Sequence, residues 1–418
     1  MREMKDSGIE WIGAIPQDWQ LSKIGSLYTQ RNEKVSDKDY QPLSVTMQGI
    51  LPQLATAAKT DDGDNRKLVR VGDFAINSRS DRRGSCGISP LDGSVSLINI
   101  ILTPRTAMHP GYYNWLFHTT LFADEFYKWG HGIVADLWTT RWQEMKSITV
   151  PVPEYAEQER IAAFLDAECA EIDAVLEKTR ASIEEYKKLK QAVITQAVTK
   201  GIRGDRPMKN SGIEWIGEIP AEWDVIRNAF LYKEKSRLPE ENAVSLSLSQ
   251  VDGLIATGDM KERSLKTSTY DGWKQVRTND LVLNRFKGHL GVLFAANIEG
   301  MVSFHYGVYE PLRQFDSKFF EYLYHSDAYK AILGLKSNGM TIGLQNLSNQ
   351  NFYSVYSLYP PEEEQQEIIQ YLDDKCSGID ALIVQKQEHF TEIENYKKSL
   401  IYEYVTGKKE VKTSVLAD

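Results

Sequence analysis

Two short basic stretches contain the side chains of this chain that best suit contact with nucleic acid. Each follows a strand-like run that ends in asparagine, at Asn77 and at Asn284. The candidate contact residues that follow are Arg79, Arg82 and Arg83 in the first stretch and Arg285, Lys287 and His289 in the second. Arginine can donate two parallel hydrogen bonds to guanine, asparagine can pair with adenine, and the glycines of both stretches permit close approach to phosphate. These residue types predict two loops that bind DNA.

Two further stretches, residues 130–143 and 336–350, are rich in hydrogen-bonding groups. Our candidate DNA contacts there are Thr139 and Arg141 in the first stretch and Gln345 and Asn346 in the second. A basic or polar turn is usually only a solvated part of a surface, but these turns recur at corresponding places in two halves of the chain. Because their side chains differ between the halves, they would contact different bases.

The sequence contains no arrangement of residues that is typical of catalysis. Glycine-rich phosphate loops, the Gly-x-Ser-x-Gly nucleophile motif and the His-Glu-x-x-His zinc motif are all absent. Cys86, Cys169 and Cys376 form no Cys-x-x-Cys pair, and only His118 and His325 correspond between the halves. We therefore predict no catalytic residue, no metal ligand and no cofactor on this chain, and structural roles for these two histidines.

The candidate loops occur in pairs because the sequence contains two copies of one unit. Residues 208–223 repeat residues 4–19 with twelve identities in sixteen positions, and residues 364–406 echo residues 157–199. A period this long exceeds that of solenoid repeats and indicates duplication of a whole unit. Each half begins with a motif that contains two tryptophans. We expect this opening motif to be irregular and its tryptophans to pack against the domain rather than bind a ligand.

Long helices are predicted where apolar residues recur at three- and four-residue steps, in residues 157–199 and 364–406. The predicted seam of this coiled coil consists of Cys169, Ile172, Leu176 and Ile183 from the first helix and Cys376, Ile379, Ile383 and Phe390 from the second. Like copies in one chain favour a two-fold relation, so we expect antiparallel helices. Cys169 and Cys376 would then lie roughly 27 Å apart and could not form a disulfide.

The predicted fold class is α+β, because strand-like and helical periods alternate within each variable block. Two similar mixed domains are expected, separated by two long antiparallel helices that form a coiled coil with pseudo-two-fold symmetry. The predicted boundaries are 1–152 for the first domain, 153–200 for the first helix, 201–359 for the second domain, 360–407 for the second helix and 408–418 for a polar tail.

Net charge and hydropathy indicate which kinds of partner the protein can bind. The formal net charge is −9 over 418 residues, which at first disfavours binding through phosphate neutralisation. Residues 157–199, however, carry 6 Lys and Arg against 9 Asp and Glu, whereas residues 20–150 carry 15 against 13. The acidic excess thus belongs to the helices. No apolar run is long enough to cross a membrane and no hydrophobic signal segment follows Met1, so we expect a cytoplasmic protein.

The repeated motifs resemble those of the specificity subunits of type I restriction–modification enzymes. The resemblance rests on Ser-Gly-Ile-Glu-Trp-Ile-Gly-x-Ile-Pro at residues 7–16 and 211–220 and on Gln-x-x-Ile-x-x-x-Leu-Asp at residues 158–166 and 365–373. Val-Thr, followed within two residues by glycine, closes each helix. The order of variable block, helix, variable block and helix is itself typical of that family, and the resemblance covers nearly the whole chain.

This resemblance implies a non-catalytic prokaryotic protein whose variable blocks are target-recognition domains. Each domain would read one half of a split site in double-stranded DNA, with asymmetric half-sites about one helical turn, ~34 Å, apart. The helices would set the spacer and dock two methyltransferase subunits that carry S-adenosylmethionine, and restriction subunits with motor and nuclease activity could join them. Two alternatives stay open: an enzyme with its site between the halves, and an interaction scaffold without a DNA role.

Overall fold

The computed structural model describes residues 2–53, 63–132, 138–250, 252–260, 271–337 and 345–411. The chain divides into two units, one of residues 1–180 and 388–418 and the other of residues 181–387. Parts of the two predicted polar stretches, residues 133–137 and 338–344, lie outside the described residues. In the described part of the chain, no helix is long and apolar enough to span a membrane.

The first unit combines short antiparallel strands with helices. Its strands are β1 (Met4–Asp6), β2 (Ala14–Pro16), β3 (Gln20–Lys23), β4 (Tyr28–Arg31), β5 (Lys34–Val35), β6 (Leu43–Thr46), β7 (Gly49–Pro52), β8 (Arg66–Val69), β9 (Phe74–Asn77), β10 (Cys86–Ile88), β11 (Gly93–Val95), β12 (Asn99–Pro104) and β13 (Thr149–Val152). Its helices are α1 (Ile24–Leu27), α2 (Pro110–Phe117), α3 (Thr120–Lys128), α4 (Trp142–Met145) and the start of α5 (Tyr155–Lys200).

The second unit repeats this plan. Its strands are β14 (Met208–Asn210), β15 (Glu218–Pro220), β16 (Asp224–Arg227), β17 (Tyr232–Glu234), β18 (Leu246–Ser249), β19 (Gly253–Ala256), β20 (Lys274–Val276), β21 (Leu281–Asn284), β22 (Leu293–Ala295), β23 (Gly300–Val302), β24 (Tyr306–Pro311) and β25 (Tyr356–Tyr359). Its helices are α6 (Ser317–Tyr324), α7 (Asp327–Lys336), α8 (Asn349–Ser354) and most of α9 (Glu362–Val405). The predicted α+β class is confirmed.

A four-stranded antiparallel sheet lies at the centre of each unit. Its strand order is β10-β9-β12-β4 in the first unit and β17-β24-β21-β22 in the second. All four residues of β9 are buried because it has neighbours on both sides and a packed core beneath it, and Leu281, Val282 and Leu283 of β21 are buried in the same way. The sheet therefore gives the loops at its strand ends a rigid base.

The opening motif of each half is a small hairpin, because β1 pairs with β2 and β14 with β15. This corrects the expectation of a wholly irregular segment. The second tryptophan of each motif is buried, as expected: Trp19 and Trp223 are 1% and 0% exposed. Each of these two donates its indole N–H at 2.9 Å to a glutamate in the first turns of a long helix, Glu157 or Glu364. Trp11 is also buried, whereas Trp215 is partly buried.

The two long helices are antiparallel within each unit. In the first unit Lys397 of α9 forms an ion pair with Asp173 of α5 at 2.7 Å, and in the second Lys190 of α5 pairs with Asp380 of α9 at 2.6 Å. These two ion pairs occupy equivalent positions of the repeat. The predicted orientation of the helices is therefore confirmed within each unit.

Most of the predicted seam residues are buried. Ile183, Ile379 and Ile383 form one apolar cluster in the second unit. Leu176 is also buried, whereas Ile172 and Phe390 are partly exposed, with the Arg180 guanidinium 5.3 Å from the Phe390 ring centre. Cys86, Cys169 and Cys376 are buried free thiols, and burial raises the pKa of Cys169 to about 11. The prediction that Cys169 and Cys376 form no disulfide is confirmed.

The glycine that follows α9 gives a stability prediction. Gly407 has φ +71°, and a Cβ there would lie 2.5 Å from the Pro16 ring. We expect Gly407→Ala to lower the free energy of unfolding by about 1–3 kcal/mol, since the new methyl adds a clash to left-handed strain. Gly378, exposed inside α9 with open space around it, is the matched control. Gly378→Ala should stabilise by about 0.5–1 kcal/mol. Urea unfolding that moves both variants in the same direction would contradict this account.

The two equivalent histidines have structural positions, as predicted, and His325 gives a pH prediction. The His325 ring lies 2.9 Å from the Leu293 carbonyl oxygen, and burial lowers its pKa from 6.5 to about 4. Between pH 6.5 and pH 4 the histidine of the unfolded chain is protonated, whereas the buried ring of the folded chain stays neutral. The stability that is present above pH 6.5 is therefore lost as the pH falls towards 4. Relative to His325→Gln, the native chain should lose roughly 2–3 kcal/mol more between pH 7 and pH 4.5. Replacing the exposed His389 in the same way should leave the loss unchanged.

Candidate nucleic-acid interface

The two predicted loops of the first unit form one surface. The loop after β9 contains a short 3-10 turn, Ser80–Arg82, and its Ser80 N–H donates to the Trp138 carbonyl at 2.9 Å. In return the Thr140 N–H donates to the Ser78 carbonyl at 3.0 Å, and Arg79 and Thr139 form an isolated β-bridge. Arg79 and Thr139, separated by sixty residues in sequence, are thus neighbours.

Asn77, at the end of β9, holds the backbone of the first loop in place. Its side chain is 7% exposed, and Oδ1 accepts a hydrogen bond from the Arg79 N–H at 3.1 Å. Its carbonyl accepts a second hydrogen bond, from the Tyr127 hydroxyl at 2.9 Å. Because Asn77 Oδ1 and the Asn77 carbonyl already have hydrogen-bond partners, these groups hold the turn in place. The neighbouring side chains are better placed to contact a ligand.

The arginines of the two loops in the first unit differ in exposure and in whether they have an ion-pair partner. Within the described part of the chain, the Arg79 and Arg141 guanidinium groups are exposed and make no ion pair or hydrogen bond. The Arg82 side chain is 69% exposed and lies 4.0 Å from Asp81. Arg83 instead pairs with Asp124 and lies over the Tyr127 ring. Arg79, Arg82 and Arg141 are therefore the cations best able to reach an added ligand.

The second unit joins its two loops in the same way. Asn284 Oδ1 accepts hydrogen bonds from the Phe286 and Lys287 N–H groups at 3.2 and 3.3 Å, which opens the 3-10 segment Arg285–Leu290. The Leu347 N–H donates to the Arg285 carbonyl at 2.9 Å. This hydrogen bond holds the polar stretch that contains Gln345 and Asn346 beside the basic loop.

Arg285 belongs to an internal network, whereas the arginines of the first basic loop, Arg79, Arg82 and Arg83, are exposed. Its guanidinium forms an ion pair with Glu234 and donates to Asn349 Oδ1 at 2.9 Å. Glu234 also pairs with Lys274 at 2.9 Å, and the Tyr309 hydroxyl donates to the same Asn349 oxygen at 2.7 Å. Burial raises the pKa of Tyr309, so it stays neutral. Arg285 thus anchors the loop to its sheet.

The other candidates of the second unit are more accessible. Lys287 and Asn346 are exposed, and Gln345 is partly exposed. His289 is partly buried, and its Nδ1 has no hydrogen-bond partner among the described residues. In the described ranges, no group of three His, Cys, Asp or Glu side chains is placed to hold a metal ion. The exposed cations and amides of these surfaces can form ionic contacts and hydrogen bonds.

Sequence reasoning missed the turns that precede β12 and β24, although both border these surfaces. Asn77 pairs with Asn99 and Asn284 with Tyr306 across the central sheets, so each basic loop begins beside the end of such a turn. The turn residues Leu97 and Phe304 are 37% and 54% exposed. No local sequence pattern indicates this position, and only the strand register reveals that they lie next to the loops.

Comparison with known proteins adds a sequence relative and two related structures. No protein-family profile matches the chain. A protein of Methanocaldococcus jannaschii, provisionally named as the type I restriction enzyme MjaX specificity subunit, is 24% identical over 276 residues, which are 65% of this chain and 61% of that protein. A chain from a structure of a type I restriction–modification system covers 94% of this chain and 99% of its own length, with a TM-score of 0.70 and 13% identity. The resemblance to type I specificity subunits is confirmed.

A second structure also matches nearly the whole chain. The HsdS subunit from Thermoanaerobacter tengcongensis covers 94% of this chain and 98% of its own length, with a TM-score of 0.50 and 16% identity. At such identities the likeness concerns the fold. The sequence match spans less than two thirds of the M. jannaschii protein. The M. jannaschii protein carries the name of the family that the sequence resembles.

Proposed function

We propose that this chain is the DNA-recognition subunit of a type I restriction–modification complex, and that each unit reads one half of a bipartite site. One repeated construction carries the proposal. In both units an asparagine at a strand end shapes a basic loop, and a backbone hydrogen bond ties that loop to a second polar loop. Such a surface combines cations for phosphate with donors for base edges.

The two half-sites would differ in sequence because the two surfaces differ in chemistry. The first unit offers the guanidinium forks of Arg79, Arg82 and Arg141, which suit guanine. The second offers Lys287 together with the amides of Gln345 and Asn346, which suit phosphate and adenine. The recognised site is therefore asymmetric. Thr139 and His289 border these groups and complete the proposed contacts, while Asn77, Arg83, Asn284 and Arg285 support them.

The helices would dock two methyltransferase subunits, which bind S-adenosylmethionine; this chain binds no cofactor. Support comes from apolar side chains that are exposed at equivalent positions: Val175 and Leu382 are 46% and 42% exposed, and Leu189 and Tyr396 are 50% and 55% exposed. Exposed apolar groups at repeated positions suit two copies of one partner. Where the host encodes restriction subunits, they would join the same complex in the prokaryotic cytoplasm.

Mapping of adenine methylation in the host genome tests the proposal. Wild-type cells should show a split motif with two unlike halves and a fixed spacer, and cells that lack this gene should lose that motif alone. An unchanged methylation map would overturn the proposal. A complex that keeps full DNA affinity after alanine replacement of Arg79, Arg82 and Lys287 would favour the scaffold, and methylation by the isolated chain would favour a single-chain enzyme.

Helix length should control the spacer. Because α5 follows the first unit's loops and precedes the second unit's loops in the chain, we expect deletion of one heptad from α5, with the matching heptad from α9, to alter or abolish the recognised spacer. Both half-site sequences should stay the same. Methylation mapping of cells that carry the shortened protein checks this, and an unaltered spacer would show that the helices do not set it.

A further inference from the structure

Three aromatic rings lie together on the surface of the second unit. Phe286 and Phe304 are 44% and 54% exposed, and His305 is also exposed. The His305 ring centre lies 5.5 Å from that of Phe286 and 3.9 Å from that of Phe304. We call these residues the aromatic triad. Phenylalanine of this unit is otherwise often fully buried, as at Phe319 and Phe320, so two adjacent exposed rings have an unfavourable contact with water.

Strand pairing brings the triad together from two loops. Asn284 at the end of β21 pairs with Tyr306 at the start of β24. Phe286 leaves the first strand and His305 enters the second, so their rings meet at one end of the sheet. Because the rings already touch one another in the folded chain, little ordering is needed before they contact a ligand.

The triad borders the basic loop of the second unit, and its Phe286 belongs to that loop. Phe286 lies between Arg285 and Lys287, and Asn284 Oδ1 fixes the backbone of both Phe286 and Lys287. Exposed rings beside an exposed cation match the stacked bases and phosphates of DNA in chemistry. The first unit has Leu97 and Ile98 at the corresponding turn, each 37% exposed. These side chains are apolar but lack rings.

We propose that the aromatic triad stacks on a base step of the half-site read by the second unit and partly unstacks that step. The inference rests on the proposed function. DNA recognition by this unit then depends on how easily one base step deforms, as well as on hydrogen bonds from Lys287, Gln345 and Asn346. The first unit, with aliphatic residues at this turn, reads its half-site without ring stacking.

The test uses the full chain with its methyltransferase subunits and duplexes that carry the motif found by methylation mapping. 2-Aminopurine is placed at successive positions of the second half-site, and its fluorescence should rise at one position on binding. The double variant Phe286→Ala and Phe304→Ala should lose that rise and bind at least about fivefold more weakly. Replacement by tryptophan should restore both. Thermal unfolding confirms that the variants are folded.

Phe230 supplies a matched control, because it is a phenylalanine of the same unit with 61% exposure. It precedes β17, which pairs with the opposite end of β24 at Pro311, so Phe230→Ala should leave binding and fluorescence unchanged. Wild-type fluorescence without a rise, or a double variant with unchanged affinity, overturns the triad inference while DNA recognition stands. A double variant that loses methyltransferase subunits instead of DNA shows a protein-docking patch. Failure of the wild-type complex to bind the motif overturns the proposed function and the inference with it.

Discussion

Glu364→Ala is expected to lower the free energy of unfolding by about 3–5 kcal/mol, because it removes the buried carboxylate that pairs with a nearly buried cation. Glu364 is 0% exposed, accepts the indole N–H of Trp223 and lies 2.6 Å from an Arg206 nitrogen. The Arg206 side chain is only 9% exposed and lies over the Trp223 ring at 5.4 Å. After the substitution both Arg206 and Trp223 lack this partner in the interior.

Urea unfolding followed by tryptophan fluorescence measures this loss. Glu364→Gln should fall between the native chain and the alanine variant, since glutamine restores an acceptor for Trp223 without the charge. Glu177→Ala is the control, because Glu177 pairs with Arg180 on α5 but is 71% exposed. It should change stability by less than about 1 kcal/mol. A Glu364→Ala effect as small as that of the control would refute the role assigned to the buried carboxylate.

Arg79→Ala is expected to weaken binding to the specific duplex by roughly 5- to 150-fold if its guanidinium pairs with a guanine. The exposed Arg79 side chain has no partner in the described ranges. Its backbone is fixed, because the Arg79 N–H donates to Asn77 Oδ1 and the Arg79 carbonyl accepts from the Arg82 N–H. Its preference for one base pair of the first half-site should relax at the same time. Contact with phosphate alone would instead weaken all duplexes equally and reduce the salt dependence by about one charge.

Fluorescence anisotropy at several salt concentrations, with wild-type and single-substitution duplexes, separates these outcomes. Arg70→Ala is the matched control: Arg70 is also an exposed arginine of the first unit, but it precedes β9 whereas Arg79 follows it. Arg70→Ala should leave affinity near that of the native chain. Equal losses in the two variants would mean that general charge, and not this loop, governs binding.

The sequence was sufficient to predict the duplication, the long helices and their antiparallel order. Each of these depends on a local or repeated pattern, such as the heptads that lead to the Ile183, Ile379 and Ile383 cluster. The positions of the polar loops were also predictable, because they follow strand-like runs that end in Asn77 and Asn284.

Individual side-chain roles depended on partners far away in sequence. Arg285 is held by Glu234, fifty-one residues earlier, and no local pattern shows that this cation is engaged. The β1–β2 hairpin was missed because three-residue strands are too short to show alternation. The aromatic triad needs the pairing of β21 with β24, which sets Phe286 beside His305. Prediction therefore failed where tertiary pairing, and not residue type, decides exposure.

The first unit is formed from two separate segments of the chain, and this affects the order in which the units fold during synthesis. This unit needs residues 388–418 as well as residues 1–180, and its buried Tyr112 hydroxyl donates to the Val405 carbonyl. The segment made first must therefore wait while 207 intervening residues are synthesised, about 10–40 s at ordinary translation rates. The first unit is thus the last to be completed, and a chain that ends after residue 387 contains all of the second unit but only part of the first.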